Sequence, residues 1–337
     1  MIKDIIKKLE AKIDLDSKEM TGVFDEIMSG GADNEDIKRF LLRLKEKGEK
    51  PHEIAAAAGI MRAKATKVDV STDKLIDTCG TGGAPFHDAN ISSIEAFVVA
   101  GCGLKVAKHG NRSFTGKCGS ADIMEALGVN INASPETVTR CIEDCGAGFI
   151  FAKNFHPAMK NVMQARKELK TRTIFNILGP LANPAGVKMQ ILGVFSADIT
   201  ELIAEALGFL KSEKAYVVHG MEGIDEISVK GDSKVTELAG GKVSTFTVKP
   251  KDFGLEEGSL NDVKGGDAAH NKELALSVLE GRNRSSLRDM VLMNASAALK
   301  MAGVAPDFKS GLSIAAESVD SGRARGVLKQ LVEISNR

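Results

Sequence analysis

The chain has 337 residues, with 45 Lys and Arg against 45 Asp and Glu, 43% hydrophobic residues and 27% charged ones, which is the composition of a folded globular protein and not of a disordered or collagenous one. A formal net charge of zero gives no overall field to draw the molecule onto nucleic acid or an anionic bilayer, so a charged ligand has to be held by locally placed charge. The most apolar runs, Ile54 to Met61 and Ala96 to Gly103, fall well short of the roughly 20 residues that cross a membrane.

Lys3, Asp4, Lys7 and Lys8 interrupt the N-terminal apolar run, so the expectation is a cytoplasmic chain without a signal peptide. Five cysteines without a C-x-x-C pair are expected as reduced thiols. Up to about residue 68 the pattern is helical only. Asp16 with Glu19 forms a capping pair before Met20, Val23, Phe24 and Ile27, whose spacing makes one apolar stripe. That stripe is more than so small a unit is expected to bury alone, which predicts a dimer. Ile37, Phe40, Leu41 and Leu44 mark a second helix, and Pro51 opens a third. A boundary is predicted near residue 70, before a strand, Leu75 to Cys79, that ends in a glycine turn.

Beyond it, β-branched runs alternate with amphipathic helices. Leu104 to Ala107, Phe149 to Ala152, Gln190 to Phe195 and Tyr216 to His219 read as strands, and Lys234 to Leu238 with Val243 to Val248 as an edge hairpin. The pattern predicts an α/β fold with a mostly parallel central sheet and helices on both faces, its ligands lying at the carboxyl ends of the strands. One helix is expected from His156 through Arg166, and helices from about Ala268, Ser286 and Leu312 close the chain. Cys141 and Cys145 on a helix are expected to pack.

Gly80, Thr81, Gly82 and Gly83 form a glycine turn followed by Asn90, Ile91, Ser92 and Ser93 at the start of an apolar helix. Turn amides, a helix start and side-chain donors suit a phosphate or pyrophosphate. Pro85 stands where the dinucleotide fingerprint needs glycine, which removes the main support for nicotinamide chemistry. In the second segment, Lys105 to Ser120, Gly110 and Gly116-Lys117 miss the Walker A spacing by one residue, and Cys118 replaces the hydroxyl that would hold magnesium. What remains is a strand end followed by Lys108, His109, Arg112 and Lys117, with Asn111 and Ser120, a second anion-binding construction. Asp225 and Glu226 follow a strand. Hard oxygen ligands beside phosphate loops suit Mg2+, although by spacing alone an adjacent acidic pair also fits a solvated loop. Arg166 suits a carboxylate, or the solvated surface.

These segments resemble the anthranilate phosphoribosyltransferase family over nearly the whole chain: the glycine turn, Asn90 to Ser93, Val106 to Ser113, Gly119 to Asp122, Arg172 to Leu181, and Gly223 to Glu226. The resemblance implies a helical domain of residues 1–70 with a contribution from about 170–185, and an α/β domain of residues 71–169 and 186–337 of the nucleoside phosphorylase and phosphoribosyltransferase type. It implies homodimers joined through the helical domains, phosphoribosyl pyrophosphate and anthranilate as substrates, and Mg2+, two ions per subunit. By position, Gly80, Thr81, Gly82, Gly83, Asn90, Ile91, Ser92, Ser93, Lys108, Gly110, Asn111 and Ser120 would hold the donor. Gly80, Asn111, His109, His156 and Arg166 would contact anthranilate, Ser92, Asp225 and Glu226 would serve the metal, and Gly179-Pro180 would belong to the hinge. The resemblance departs at Ala84, where the family loop usually ends in aspartate, and at Glu95, where a small residue is common. A paralogue with another acceptor, a nucleoside phosphorylase, and a binding protein on the same scaffold are the alternatives; zero net charge and the acidic pair speak against nucleic acid as the ligand.

Overall fold

The computed structural model describes every residue except Asp73, Phe114 and Thr115. Four helices come first: α1 (Ile2–Glu10), α2 (Ser17–Met28), α3 (Asn34–Lys47) and α4 (Pro51–Ala63). Local chemistry sets their ends. Asp16 accepts the Lys18 and Glu19 N–H groups at 2.8 Å, and Glu19 accepts the Asp16 N–H at 3.0 Å, closing a capping box. The stripe Met20, Val23, Phe24 and Ile27 is wholly buried within this one chain. It therefore supplies no unburied face for a dimer, because Phe24 packs on Phe40 and, 5.5 Å between ring centroids, on Phe175 from far along the sequence.

Then follow β1 (Leu75–Gly80), α5 (Ile91–Gly101), β2 (Lys105–Gly110), α6 (Ser120–Ala126), α7 (Pro135–Cys145), β3 (Ala147–Phe151), α8 (Ala152–Phe155), α9 (Met163–Leu169), α10 (Phe175–Leu181), β4 (Met189–Gly193), α11 (Thr200–Phe209), β5 (Lys214–Gly220), β6 (Ser233–Ala239) and β7 (Lys242–Val248). Helices α12 (Ala268–Leu279), α13 (Ser286–Ala302), α14 (Phe308–Asp320) and α15 (Arg323–Ser335) close the chain. The helix expected from Leu312 thus starts earlier, capped where Asp307 accepts the Ser310 N–H at 2.7 Å, and a further helix follows it.

The strands form one sheet in the order β3-β2-β1-β4-β5-β6-β7, parallel through β5 and antiparallel from β5 to β7. The direction of winding reverses between β1 and β4, so the crevice beyond their carboxyl ends is where an open α/β sheet receives a ligand. Neighbouring residues feed opposite faces: Ile191 joins a core with α5, α12, α13 and α15, whereas Leu192 joins one with α11 and the N-terminal helices. The helical unit therefore shares its core with one sheet face.

The expected single helix from His156 to Arg166 is broken. Helix α8 stops at Phe155, a 3-10 turn spans Pro157–Asn161, and α9 begins at Met163. Pro157 has no N–H to continue α8 and pushes His156 out of the helical region, at φ −119° and ψ 68°. Helix α9 packs on α3, with Val162 and Ala165 in the core of the helical unit, so Arg166 projects from the helical side of the molecule.

Candidate active site

The glycine turn leaves β1 at the sheet's switch point. Gly82 and Gly83 have φ of +63° and +79°, a conformation that side chains resist. The Thr81 N–H donates to Gly193 O at 2.9 Å, and Thr81 Oγ1 accepts the Phe195 N–H at 3.1 Å, tying the turn to the end of β4. The segment after β5 crosses β4 so closely that a Cβ on Gly193 would meet the Asp225 carbonyl oxygen at 1.6 Å. Only glycine permits that crossing, which brings the Asp225 carboxyl over Gly80, 3.3 Å from where a Cβ would stand.

Lys108 reaches the same crevice from β2. Almost wholly buried, its ammonium donates to Thr78 O at 2.5 Å and to Ser92 Oγ at 3.3 Å, leaving a third N–H for a ligand. The Ser92 N–H donates to Glu226 Oε1 at 3.2 Å. Ser92, Lys108 and Glu226, expected in one site from three separate segments, are thus joined directly. Arg112 pairs instead with Asp122 at 2.6 Å and Glu125 at 2.9 Å, and Lys105 donates to Glu143 O. Of the four cations expected after this strand end, Lys108 alone bonds into the crevice among the described residues, and Lys117 is exposed.

The second loop is more self-contained than its composition implies. Asp122 Oδ2 accepts the Ser113 and Gly119 N–H groups, and Ser113 Oγ accepts that of Gly116, so these amides are already used. Ser120 Oγ accepts the Asn111 N–H and donates to Asn111 O. In the first loop the Ile91 N–H is taken by Asp88 at 3.2 Å, and the Ser93 hydroxyl is buried without a partner among the described residues. The side chains of Ile91 and Ser93 face the core.

Burial and mutual repulsion dominate the electrostatics. Burial, reinforced by Asp225, lifts the Asp88 carboxyl to about 7; burial lifts Glu95 to about 8, against the pull of Lys108. Glu226 is held well above the carboxyl range by burial and by Asp88, Glu95 and Asp225, and burial raises Asp225 as well. Asp88, Glu95 and Glu226 share the single Lys108 ammonium, and Asp225 faces His219 and His87, so the site is short of positive charge, which fits a divalent cation. No group of three His, Cys, Asp or Glu side chains is placed to hold a metal ion among the described residues, so an ion here would need water and substrate oxygens as further ligands.

His109 and His156 meet at 3.2 Å between their Nε2 atoms. Both are buried, and desolvation drives His109 down to about 3 and His156 to about 4. They are a neutral pair in which one ring donates to the other. Arg166 stands apart from the donor loops, its guanidinium 5.3 Å from the centroid of the Phe175 ring. It has no ion pair among the described residues, and burial lowers its pKa, so a ligand carboxylate would relieve a half-buried charge. Pro180, inside α10, accepts from Gln190 Nε2 through its carbonyl at 2.8 Å, while Leu181 O accepts from Arg62 at 2.7 Å; the segment expected at the hinge is bonded to both units.

Sequence reasoning assigns no role to several supporting residues, although Arg172 lies in one of the blocks that carry the resemblance. Asp77 accepts the His109 N–H at 3.2 Å and the Asn183 amide at 2.8 Å, fixing β2 relative to β1. Arg172 donates to Gly83 O and lies 4.0 Å from the Phe195 centroid, roofing the glycine turn from the link before α10. No short motif announces such contacts, since their partners lie far apart in sequence.

A helical unit seated on a sheet whose switch point gathers a glycine turn, one buried lysine and an acidic cluster defines a protein that takes a phosphorylated ligand in that crevice. The glycosyl transferase family's helical bundle domain matches residues 3–65, and its α/β domain matches residues 72–325. An anthranilate phosphoribosyltransferase of Persephonella marina is 51% identical over 99% of both chains. The crystal structure of the Thermus thermophilus enzyme superposes with a TM-score of 0.94 at 39% identity, covering 99% of this chain and 100% of that one. The Saccharomyces cerevisiae enzyme, 28% identical over 99% of this chain and 98% of that one, matches at 0.91 in its complex with PRPP and Mg and at 0.90 with 4-fluoroanthranilate. The chain belongs to the anthranilate phosphoribosyltransferase family.

Proposed function

We infer that the protein transfers the phosphoribosyl group of phosphoribosyl pyrophosphate to the amine of anthranilate, giving phosphoribosyl-anthranilate and pyrophosphate, a step of tryptophan biosynthesis. The observation that carries this reading is the knot of Lys108, Ser92 and Glu226 beside the glycine turn, at the sheet position where the fold takes its ligand. The donor lies along Gly80 to Gly83, Asn90 to Ser93, Lys108, Gly110, Asn111 and Ser120. Ser93 and Ile91 contribute through the packing of α5 rather than by side-chain donation. Anthranilate is held by Arg166 on its carboxylate, with Gly80, Asn111, His109 and His156 around it.

Displacement at an anomeric carbon calls for charge stabilisation more than for a strong base. Lys108 offers an N–H to the departing pyrophosphate. An aryl amine is neutral near pH 7 and attacks through its lone pair, so no dyad is needed to deprotonate it first. Ser92, Asp225 and Glu226 fit Mg2+, two ions per subunit, and the metal, when bound, supplies further neutralisation of pyrophosphate. Motion between the helical and α/β units, divided near residue 70 with 170–185 and the preceding helix α9 on the helical side, aligns the two substrates.

The protein works in the cytoplasm as a homodimer joined through its helical units. No helix is long and apolar enough to cross a membrane among the described residues. What supports the dimer is apolar surface outside the buried stripe: Phe209, at the end of α11, is 63% exposed beside His52 of the helical unit, and Ile13 of the helical unit is 50% exposed. Light scattering is expected to return twice 35.8 kDa. The catalytic test is pyrophosphate release from phosphoribosyl pyrophosphate with a panel of aromatic amines: turnover with anthranilate but not aniline supports the reading, and equal turnover of the two refutes the carboxylate contact.

A further inference from the structure

We propose that Asn271, far from the substrate-binding motifs in sequence, is a positioning residue for the phosphoribosyl donor, acting through Asn90 to lock the two donor loops together. Asn271 is buried at 1% exposure in the first turn of α12. Its Oδ1 accepts the Gly266 N–H at 2.7 Å, its Nδ2 donates to Asn90 Oδ1 at 2.7 Å, and Asn90 Nδ2 donates to Cys118 O at 3.3 Å. The orientation of both amides is forced. Gly266 N–H can only donate and Cys118 O can only accept, so each end of the relay fixes the amide it touches, and the bond between the amides follows. Asn90 needs such support: it heads α5 in the left-handed region at φ 60°, which asparagine tolerates but does not prefer.

The relay's anchor is built onto the donor loop. Ala89 N–H donates to Val263 O and Gly265 N–H to His87 O, each at 3.0 Å, and a Cβ on Gly265 would meet Asp88 O at 2.1 Å. Asp88 in turn receives the Ile91 N–H that starts α5. Two amides in series therefore connect the segment before α12, the start of α5 after the glycine loop, and the loop that ends at Ser120. This inference rests on the donor lying along those two loops, and Asn271 itself touches neither substrate.

The test is a double-mutant cycle read by steady-state kinetics. Asn271→Ala is expected to raise KM for phosphoribosyl pyrophosphate about tenfold, as for a lost buried hydrogen bond, and to leave KM for anthranilate within twofold. Asn271→Asp keeps the size and the acceptor for Gly266 but cannot donate to Asn90 Oδ1, so it should raise the same constant equally and carries the test if the alanine variant does not fold. In an Asn90→Ala background the Asn271 substitution should add less than twofold, because the path it acts through is gone. The proposal is overturned if Asn90→Ala raises the donor KM while Asn271→Asp does not, or if the two effects multiply in full. If Asn90→Ala leaves the donor KM unchanged, the placement of the donor itself falls, and the proposal with it.

Discussion

Replacing Glu95 by glutamine should stabilise the protein, and by an amount that depends on pH in a defined way. Glu95 is fully buried in α5, and neither carboxyl oxygen has a hydrogen-bond partner among the described residues. Burial lifts it from the ordinary 4.5 to about 8. Near pH 7 the unfolded chain releases this proton while the folded chain keeps it. Below 4.5 both states hold it and nothing is lost; between 4.5 and about 8 folding is penalised progressively, at about 1.36 kcal/mol per pH unit. At pH 7 the penalty is about 3 kcal/mol. Glutamine has the size and polarity of the protonated acid and does not titrate, so the variant should match the parent at pH 4 and exceed it by about 3 kcal/mol at pH 7. Urea unfolding of both proteins from pH 4 to pH 8, in chelator so that metal binding does not enter, gives the difference directly. A gap that does not vary with pH, or a variant weaker than the parent at pH 8, would show that Glu95 is ionised and paired with Lys108 in the folded protein.

Arg166→Ala should raise KM for anthranilate roughly tenfold to a hundredfold, the cost of one charge-assisted hydrogen bond, and leave KM for phosphoribosyl pyrophosphate within a fewfold; equal damage to both would return Arg166 to a structural role against Phe175. Alanine at Asp225 and Glu226 together should abolish turnover without lowering the thermal midpoint, since it removes two mutually repelling buried acids, and full activity of the parent in excess chelator would refute the metal assignment. In the helical unit, Glu53 is wholly buried and accepts from the Leu15 N–H at 2.8 Å and from Lys47 at 2.9 Å. Lys47→Ala should cost ~3 to 5 kcal/mol in urea unfolding by leaving that charge unpaired, and a loss below about 1 kcal/mol would place the pair in the weak class of surface bridges.

The sequence by itself determined what depends on near neighbours. Helix starts at Asp16 and Pro51, the glycine turn at the end of β1, the alternation that makes a parallel sheet and the antiparallel edge hairpin are all set by residues a few positions apart, so local spacing carries them. The motif blocks likewise marked Lys108, Ser92 and the pair Asp225 and Glu226. Tertiary structure decided how these act. Arg112 looks like a phosphate ligand in sequence, yet Asp122 and Glu125 on the following helix occupy it. The stripe on α2 looks like an interface, yet α4 and Phe175 cover it. Pro157 divides what periodicity joins, sending α9 and Arg166 to the helical unit. Whether a charge is free, paired or pushed off its usual pKa depends on what lies within a few ångströms, and in this chain those neighbours come from across the sequence: Glu226 beside Ser92, Asn271 beside Asn90, Asn183 beside Asp77. Periodicity and spacing hold no record of such pairs, because each is made by the packing of whole elements and not by the order of residues along one of them.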